Sequence, residues 1–356
     1  MSRTPPRAFK PDLDEAARRW QAYLAGEIID RPVVCVTAPR AGAQSVPGVN
    51  YHQRVFGDIG EIVDNALAGA AATYYGGEAI PSFWASFGPD EIAVFCGSEF
   101  QWNDASGNTN WSVPFVEDWE QALPLRLNEQ HPLWQRMLAI YRLAGERCAG
   151  KLAMAPLDLH SNMDLLAAVR GPQRLCVDLL DRPETIDRAM ASARAVFPVL
   201  WNALRVAGRM DELAYCNGVY APEGAAVLQC DFCCMISPAM FDRWVLPALE
   251  EEAALVKHAY YHWDGPGAQV HTQALCASRG LHTLSYVPGD GRGSHIQYLG
   301  LMHRVQAGGK AVHFWGSPEE CQAAHRQLRP EKVMYSTGVK SEKEADELLK
   351  WFVKNT

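Results

Sequence analysis

A (β/α)8 TIM barrel, an α/β fold, is what this sequence predicts, and three observations predict it. Strand-like apolar runs alternate with helical patterns in units of about 25 residues through the second half of the chain. No such run leads into a G-x-G-x-x-G turn, which disfavours an open dinucleotide-binding sheet. The length of 356 residues suits one barrel domain, 1–356, with an insertion.

Taken in order, residues 1–30 form a lead-in whose helix spans 14–26, with Ala16, Ala17, Trp20, Tyr23 and Leu24 at helical spacing and Asp12 or Asp14 as cap. Val33–Val36 is a continuous apolar run that suits a first strand buried on both faces. A helix at 59–73 follows. Residues 80–120 change character: aromatics, Gly, Asn and Ser dominate, and Trp84, Trp102, Trp111 and Trp119 crowd there, so the segment reads as an irregular excursion. Regular elements resume with a helix at 131–147, a strand at Leu152–Leu157 and helices at 162–169, 173–180 and 184–206. Strand-like Leu213–Cys216 precedes helix 238–257, which Ser237 caps and Pro238 opens. Four strand and helix pairs complete the chain: Ala259–Trp263 with 267–277, Thr283–Val287 with 295–307, Ala311–Trp315 with 318–327, and Val333–Ser336 with 341–353.

Thirty-three Lys and Arg against 41 Asp and Glu give a net charge of −8 without a basic run, which argues against nucleic acid as a partner. No stretch approaches the roughly 18 apolar residues of a membrane span, and the first residues lack the apolar segment of a signal peptide. Ten cysteines in a chain this long read as free thiols, so a reducing cytoplasm is expected.

In a barrel, chemistry sits at the carboxyl ends of the strands. That rule selects Asp158 and His160 after strand Leu152–Leu157, Asn217 and Tyr220 after Leu213–Cys216, His262, Trp263 and Asp264 at the end of the strand that begins at Ala259, and Tyr286 in the strand ending at Val287-Pro288-Gly289-Asp290-Gly291. Asp158 and Asp264 also suit plain helix capping. Eight of the eleven histidines lie between 258 and 325. His262 stands out among them, because period two puts it on one face with Asp264, and His160 ranks second. The segment Leu228-Gln229-Cys230-Asp231-Phe232-Cys233-Cys234 adds Gln229 and Asp231 and contains C-x-x-C. Cys230, Cys233 and His262 could supply three zinc ligands, although strand geometry puts Cys230 and Cys233 on opposite faces, and the pairing of His262 with Asp264 suits a divalent metal or a proton-transfer task, so His262, Asp264 and Cys230 are the candidate metal ligands. The tryptophans of the excursion, Trp84, Trp102 and Trp111 foremost, either fill core or wall a pocket for a flat or sugar-like ligand.

The stretch Ile236-Ser237-Pro238-Ala239-Met240-Phe241-Asp242-Arg243-Trp244-Val245-Leu246-Pro247-Ala248-Leu249 resembles a helix of the uroporphyrinogen decarboxylase superfamily, which includes corrinoid-linked methyltransferases. Asp158-Leu159-His160-Ser161-Asn162, Tyr261-His262-Trp263-Asp264-Gly265-Pro266-Gly267 and Ser317-Pro318-Glu319-Glu320 resemble a divergent bacterial branch of it. The resemblance covers about 150–350 and implies a TIM barrel. It also implies an enzyme acting on a small molecule, with methyl transfer linked to a corrinoid protein as partner, metal assistance, and a homodimer.

Two departures shape the expected chemistry. The arginine-rich opening of true porphyrinogen decarboxylases is reduced here to Ala38-Pro39-Arg40-Ala41-Gly42-Ala43, and the His-x-Cys of the zinc methyltransferases becomes His262-Trp263-Asp264, with Cys321 as the remaining thiol. Methyl transfer is thus the first expectation. A cofactor-free decarboxylase, with Asp158, Asp231 or Asp264 handling protons and Arg40 or Arg292 holding a carboxylate, is the second. A carbohydrate-active hydrolase or lyase, and a non-catalytic barrel that binds a small ligand or corrinoid, stand behind them.

Overall fold

The computed structural model describes residues 3–102, 109–289 and 291–356. Part of the predicted excursion and Asp290 of the strand-end turn lie outside the described residues.

Thirteen strands are seen among the described residues: β1 Val33–Pro39, β2 Thr73–Gly77, β3 Ser82–Phe83, β4 Glu99–Gln101, β5 Trp111–Val113, β6 Ala153–Met154, β7 Tyr215–Asn217, β8 Val219–Ala221, β9 Ala225–Gln229, β10 His258–Asp264, β11 Leu281–Val287, β12 Ala311–Trp315 and β13 Val333–Gly338. Seven form one sheet in the order β2-β1-β13-β12-β11-β10-β9. Every pairing in it is parallel except that of β1 with β2. A second sheet runs β3-β6-β7-β8, and β4 pairs with β5 as a hairpin. The observed fold is therefore α/β with a mostly parallel sheet, and among the described residues the ladders form separate sheets, not one ring.

The parallel strands are the elements that an apolar run makes easy to predict, since helices cover them and both faces must be dry. Val33, Val34 and Val36 of β1 are buried, as are Tyr260, Tyr261 and Trp263 of β10. Elsewhere local chemistry overrides the pattern. The predicted strand Leu152–Leu157 is reduced to β6, because Pro156 has no N–H to give a ladder. Predicted strand Leu213–Cys216 begins as a short helix, Met210–Leu213, and Ala214 at φ 74° breaks it before β7. Asp12 flanks the first helix, Leu13–Leu24, without a side-chain capping bond, because its carboxylate pairs with Lys10. Predicted helix 238–257 is three pieces, Pro238–Met240, a π-turn at Phe241–Val245 and Leu246–Val256. Pro247 cannot donate to the preceding turn, which is a recognised cause of such an interruption.

The N-terminal helix is locked to the sheet by one buried acid. Glu78 takes a bidentate pair of bonds from Arg31, with Arg31 Nη2 at 2.9 Å from Oε1, and accepts the Val34 N–H at 2.9 Å. The Glu78 carbonyl accepts the Trp20 indole N–H at 2.9 Å, and Lys10 Nζ reaches the carbonyls of Tyr75 and Gly77. Removing one partner of a buried pair strands the other charge. Glu78→Ala is expected to cost about 3–5 kcal/mol, read as a lowered urea midpoint. An unchanged midpoint would remove Glu78 from this role.

Candidate active site

The site forms where β6, β9 and β10 end. His160 lies between β6 and the helix Asn162–Arg170, Asp231 opens the 3-10 turn Asp231–Met235 after β9, and His262 and Asp264 close β10. Register aligns Gln229 with His262 and His262 with Ser285, so these three residues form one row across β9, β10 and β11. Gln229 Nε2 donates to Asp158 Oδ1 at 2.6 Å, which ties the 158–162 segment to β9.

His160 is set between two carboxylates. Its Nε2 lies 3.6 Å from Asp158 Oδ1 and its Nδ1 lies 3.6 Å from Asp164 Oδ2. Burial opposes a proton on this ring, but the bond to Asp158 and the charges of Asp158, Asp164 and Asp231 outweigh it and push the pKa up to about 10. His160 is an imidazolium at neutral pH. Burial likewise opposes the charge on Asp158, yet His160 and Gln229 hold its pKa below the ordinary value.

Asp164 has a different task. Its two oxygens accept the N–H groups of Asp231 and Phe232 at 2.9 and 2.8 Å, so it fixes the turn that carries Asp231. Burial, with Asp231 nearby, raises Asp164 to about 6 against the pull of His160. Asp231 Oδ1 is buried without a hydrogen-bond partner. Asp264 is pushed up by burial and by the charge of Asp231, so the groups at the ends of β9 and β10 sense one another.

Behind the site lies a buried acid that sequence reasoning misses. Glu252, on the helix Leu246–Val256, accepts Ser161 Oγ at 2.7 Å and Asn162 Nδ2 at 3.4 Å. Asn162 also donates to the Gln229 carbonyl at 3.1 Å and sits at φ 47°, a left-handed geometry that Asn tolerates better than most residues. Burial raises Glu252 to about 8. Glu91 is a second missed acid: fully buried, with Oε2 on the Phe87 N–H at 2.8 Å and Oε1 unpartnered.

Other predicted residues scatter. Trp263 is buried and donates to the Ala268 carbonyl, while Tyr286 packs on Trp263 and accepts from Gln269. Asn217 Oδ1 accepts the Val227 N–H, and buried Tyr220 senses the charges of Arg3 and Arg7 of the N-terminal lead-in. Arg40 turns to the Thr73 carbonyl. Among the tryptophans, Trp84 lines a separate small cavity and Trp102 packs on Tyr51 and His52. Trp111 lines a cavity of about 460 Å³ together with His160, Asp164, Asp231 and Phe232.

The metal set does not fit. The 3-10 turn brings Cys230 and Cys233 side by side, not to opposite faces as a strand would, and both are buried. Burial, with Cys233 alongside, pushes the Cys230 thiol well above its ordinary value. Cys321 is buried against the Gly316 carbonyl. Among the described residues no three His, Cys, Asp or Glu side chains converge as metal ligands. Among them also, no helix is long and apolar enough to cross a membrane.

No family model matches the chain, and no curated protein matches it. Among solved structures it is similar to a methyltransferase from Methanosarcina mazei, with a TM-score of 0.62 at 12% identity over 95% of this chain and 98% of that one. At that identity the likeness is one of fold.

The state of Glu252 is open to test. Because its folded pKa of about 8 lies above the ordinary value near 4.3, the chain loses stability as pH rises from about 4.3 to about 8. Glu252→Gln, which keeps an acceptor, is expected to flatten that slope. Glu252→Ala is expected to cost about 1–3 kcal/mol at all pH values, by leaving Ser161 and Asn162 without their acceptor. Urea midpoints between pH 5 and 9 measure both, and an unchanged slope in the Gln variant would show that Glu252 is ionised.

Proposed function

We propose that the protein is a barrel-scaffold enzyme of methyltransferase type that moves a methyl group between a corrinoid carrier and a small molecule, at the strand ends around His160. The observation that carries this proposal is the acidic surroundings of one histidine: the His160 ring lies 3.6 Å from both Asp158 and Asp164, and Asp231 joins it in the cavity lining. The likeness in fold to a methyltransferase over nearly the whole chain supports it.

An excess of carboxylates favours a reaction in which positive charge grows on the substrate. A methyl group arriving on a nitrogen or sulfur nucleophile has that character. A carboxylated substrate would instead need a cation to hold it, and neither Arg40 nor Arg292 lines the cavity beside His160. The decarboxylase alternative therefore lacks its binding group there.

A corrinoid supplies the methyl group when bound; the remaining work falls to this chain. His160 holds its proton too firmly at a pKa of about 10 to act as a base near neutrality, and serves as a fixed positive charge that keeps Asp158 and Asp164 apart and ionised. Asp231, which lines the cavity and has one oxygen without a hydrogen-bond partner, takes the proton from the acceptor atom in this reading. Asp264, raised by burial and by Asp231, is the second proton station. No step runs through a metal.

Methyl transfer from methylcobalamin to small thiols and amines, followed by loss of the methyl-cobalt absorbance, is the direct test. Asp231→Asn is expected to lower kcat by about 10²–10⁴ with little change in fold. Full activity in that variant would remove Asp231 as the base, and no transfer to any acceptor by the intact chain would overturn the assignment.

A further inference from the structure

The cavity of about 460 Å³ beside His160 has a lining that selects for charge as well as shape. Its apolar wall is made by Trp111, Phe232 and three prolines, Pro89, Pro114 and Pro172. Its charged lining is Asp90, Asp164, Asp231 and His160, with no Lys or Arg among the described residues. The positive charge of His160 is already matched by Asp158 and Asp164 on either side of its ring. That leaves Asp90 and Asp231 as uncompensated negative charge, and Asp231 keeps a buried oxygen free of any hydrogen bond.

The walls are held in place. Ser112, next to Trp111 on β5, donates its N–H to Asp90 Oδ2 at 2.8 Å and its hydroxyl to the Ala168 carbonyl at 2.9 Å. The Trp111 indole N–H is fixed on Gln101 Oε1 at 2.8 Å, and the N–H groups of Phe115 and Val116 both reach the Val169 carbonyl. The aromatic face and the carboxylates are therefore held on one hydrogen-bonded frame.

We propose that this cavity binds a small organic cation with an alkylated onium head, an ammonium or sulfonium carrying methyl groups. An alkylated onium is weakly hydrated, so little is lost when it leaves water, while an aromatic face and a carboxylate each attract it. Anions meet net negative charge. Neutral sugars need many uncharged donors and acceptors, and Ser112, the one Ser, Thr, Asn or Gln of the lining among the described residues, has its hydroxyl committed to Ala168. As the methylated product of transfer to an amine or sulfide, or the methyl donor in the reverse direction, the onium rests on the methyl-transfer proposal; as a binding site it stands without it.

Choline, its neutral carbon isostere 3,3-dimethyl-1-butanol and the anion 3,3-dimethylbutyrate separate shape from charge, and calorimetry or tryptophan fluorescence reads their binding with no methyl carrier present. Choline is expected to bind saturably, the neutral isostere about tenfold more weakly, and the anion not at all. Trp111→Leu and Asp231→Asn are each expected to weaken choline by about tenfold, while Trp111→Phe, which keeps an aromatic face, retains most of it. Equal affinity for choline and the isostere, tighter binding of the anion, or undiminished choline binding in the Leu and Asn variants would overturn the inference. A chain that binds choline but transfers no methyl group supports the cation site and counts against the transfer proposal alone.

Discussion

The charge balance around His160 is the constraint on which the rest of the site depends. An imidazolium this deeply placed survives only because Asp158 and Asp164 flank it at 3.6 Å each. Each carboxylate in turn is held for a second purpose. Asp158 accepts from Gln229 at the end of β9, and Asp164 accepts the two N–H groups that open the Asp231 turn. A change in the protonation of His160 would therefore reach β9, the Asp231 turn and the cavity wall together.

Behind this layer the fold supplies rigidity instead of charge. Glu252, neutral over most of the physiological range because burial raises it to about 8, anchors Ser161 and Asn162 from the helix Leu246–Val256. Asn162 offsets the strain of its left-handed backbone with side-chain bonds to Glu252 and the Gln229 carbonyl. Parallel pairing of β9, β10 and β11 sets Gln229, His262 and Ser285 at one level, so the strands fix the row and the loops bring the acids to it. A second polar group sits on the sheet near this row: Tyr260 Oη lies 2.6 Å from His313 Nδ1, and His313 Nε2 lies 2.7 Å from Ser336 Oγ. Burial keeps His313 well below the ordinary range, so it stays neutral while His160 stays charged. The two histidines differ in their neighbours, not in their chemistry.

Much of this was legible in the sequence. Apolar runs mark β1 and β10–β13, because strands covered on both sides cannot hide their composition. Asp158, His160 and Asp231 stand out once the polar residues just beyond each strand are compared. The residues that pattern reading misses are hidden for physical reasons. Asp164 lies in an apolar helix, where a lone acid reads as an interruption; its spacing of four from His160, inside Met163-Asp164-Leu165-Leu166, is the available signal. Glu252 is hidden in the run Glu250-Glu251-Glu252, which reads as a solvated face until burial singles out its last member. The short strands β6 to β8 and the side-by-side placement of Cys230 and Cys233 depend on Pro156, Ala214 and a 3-10 turn, which propensity does not foresee.

Whether His160 is an imidazolium held by two carboxylates is measured directly by nitrogen-detected NMR of labelled histidine. His160 is expected to show two protonated ring nitrogens at pH 8 and to titrate only near pH 10, with Asp158→Asn bringing that midpoint down. A His160 that titrates near the ordinary 6.5 in the folded chain, and ignores the Asp158 substitution, would contradict the account.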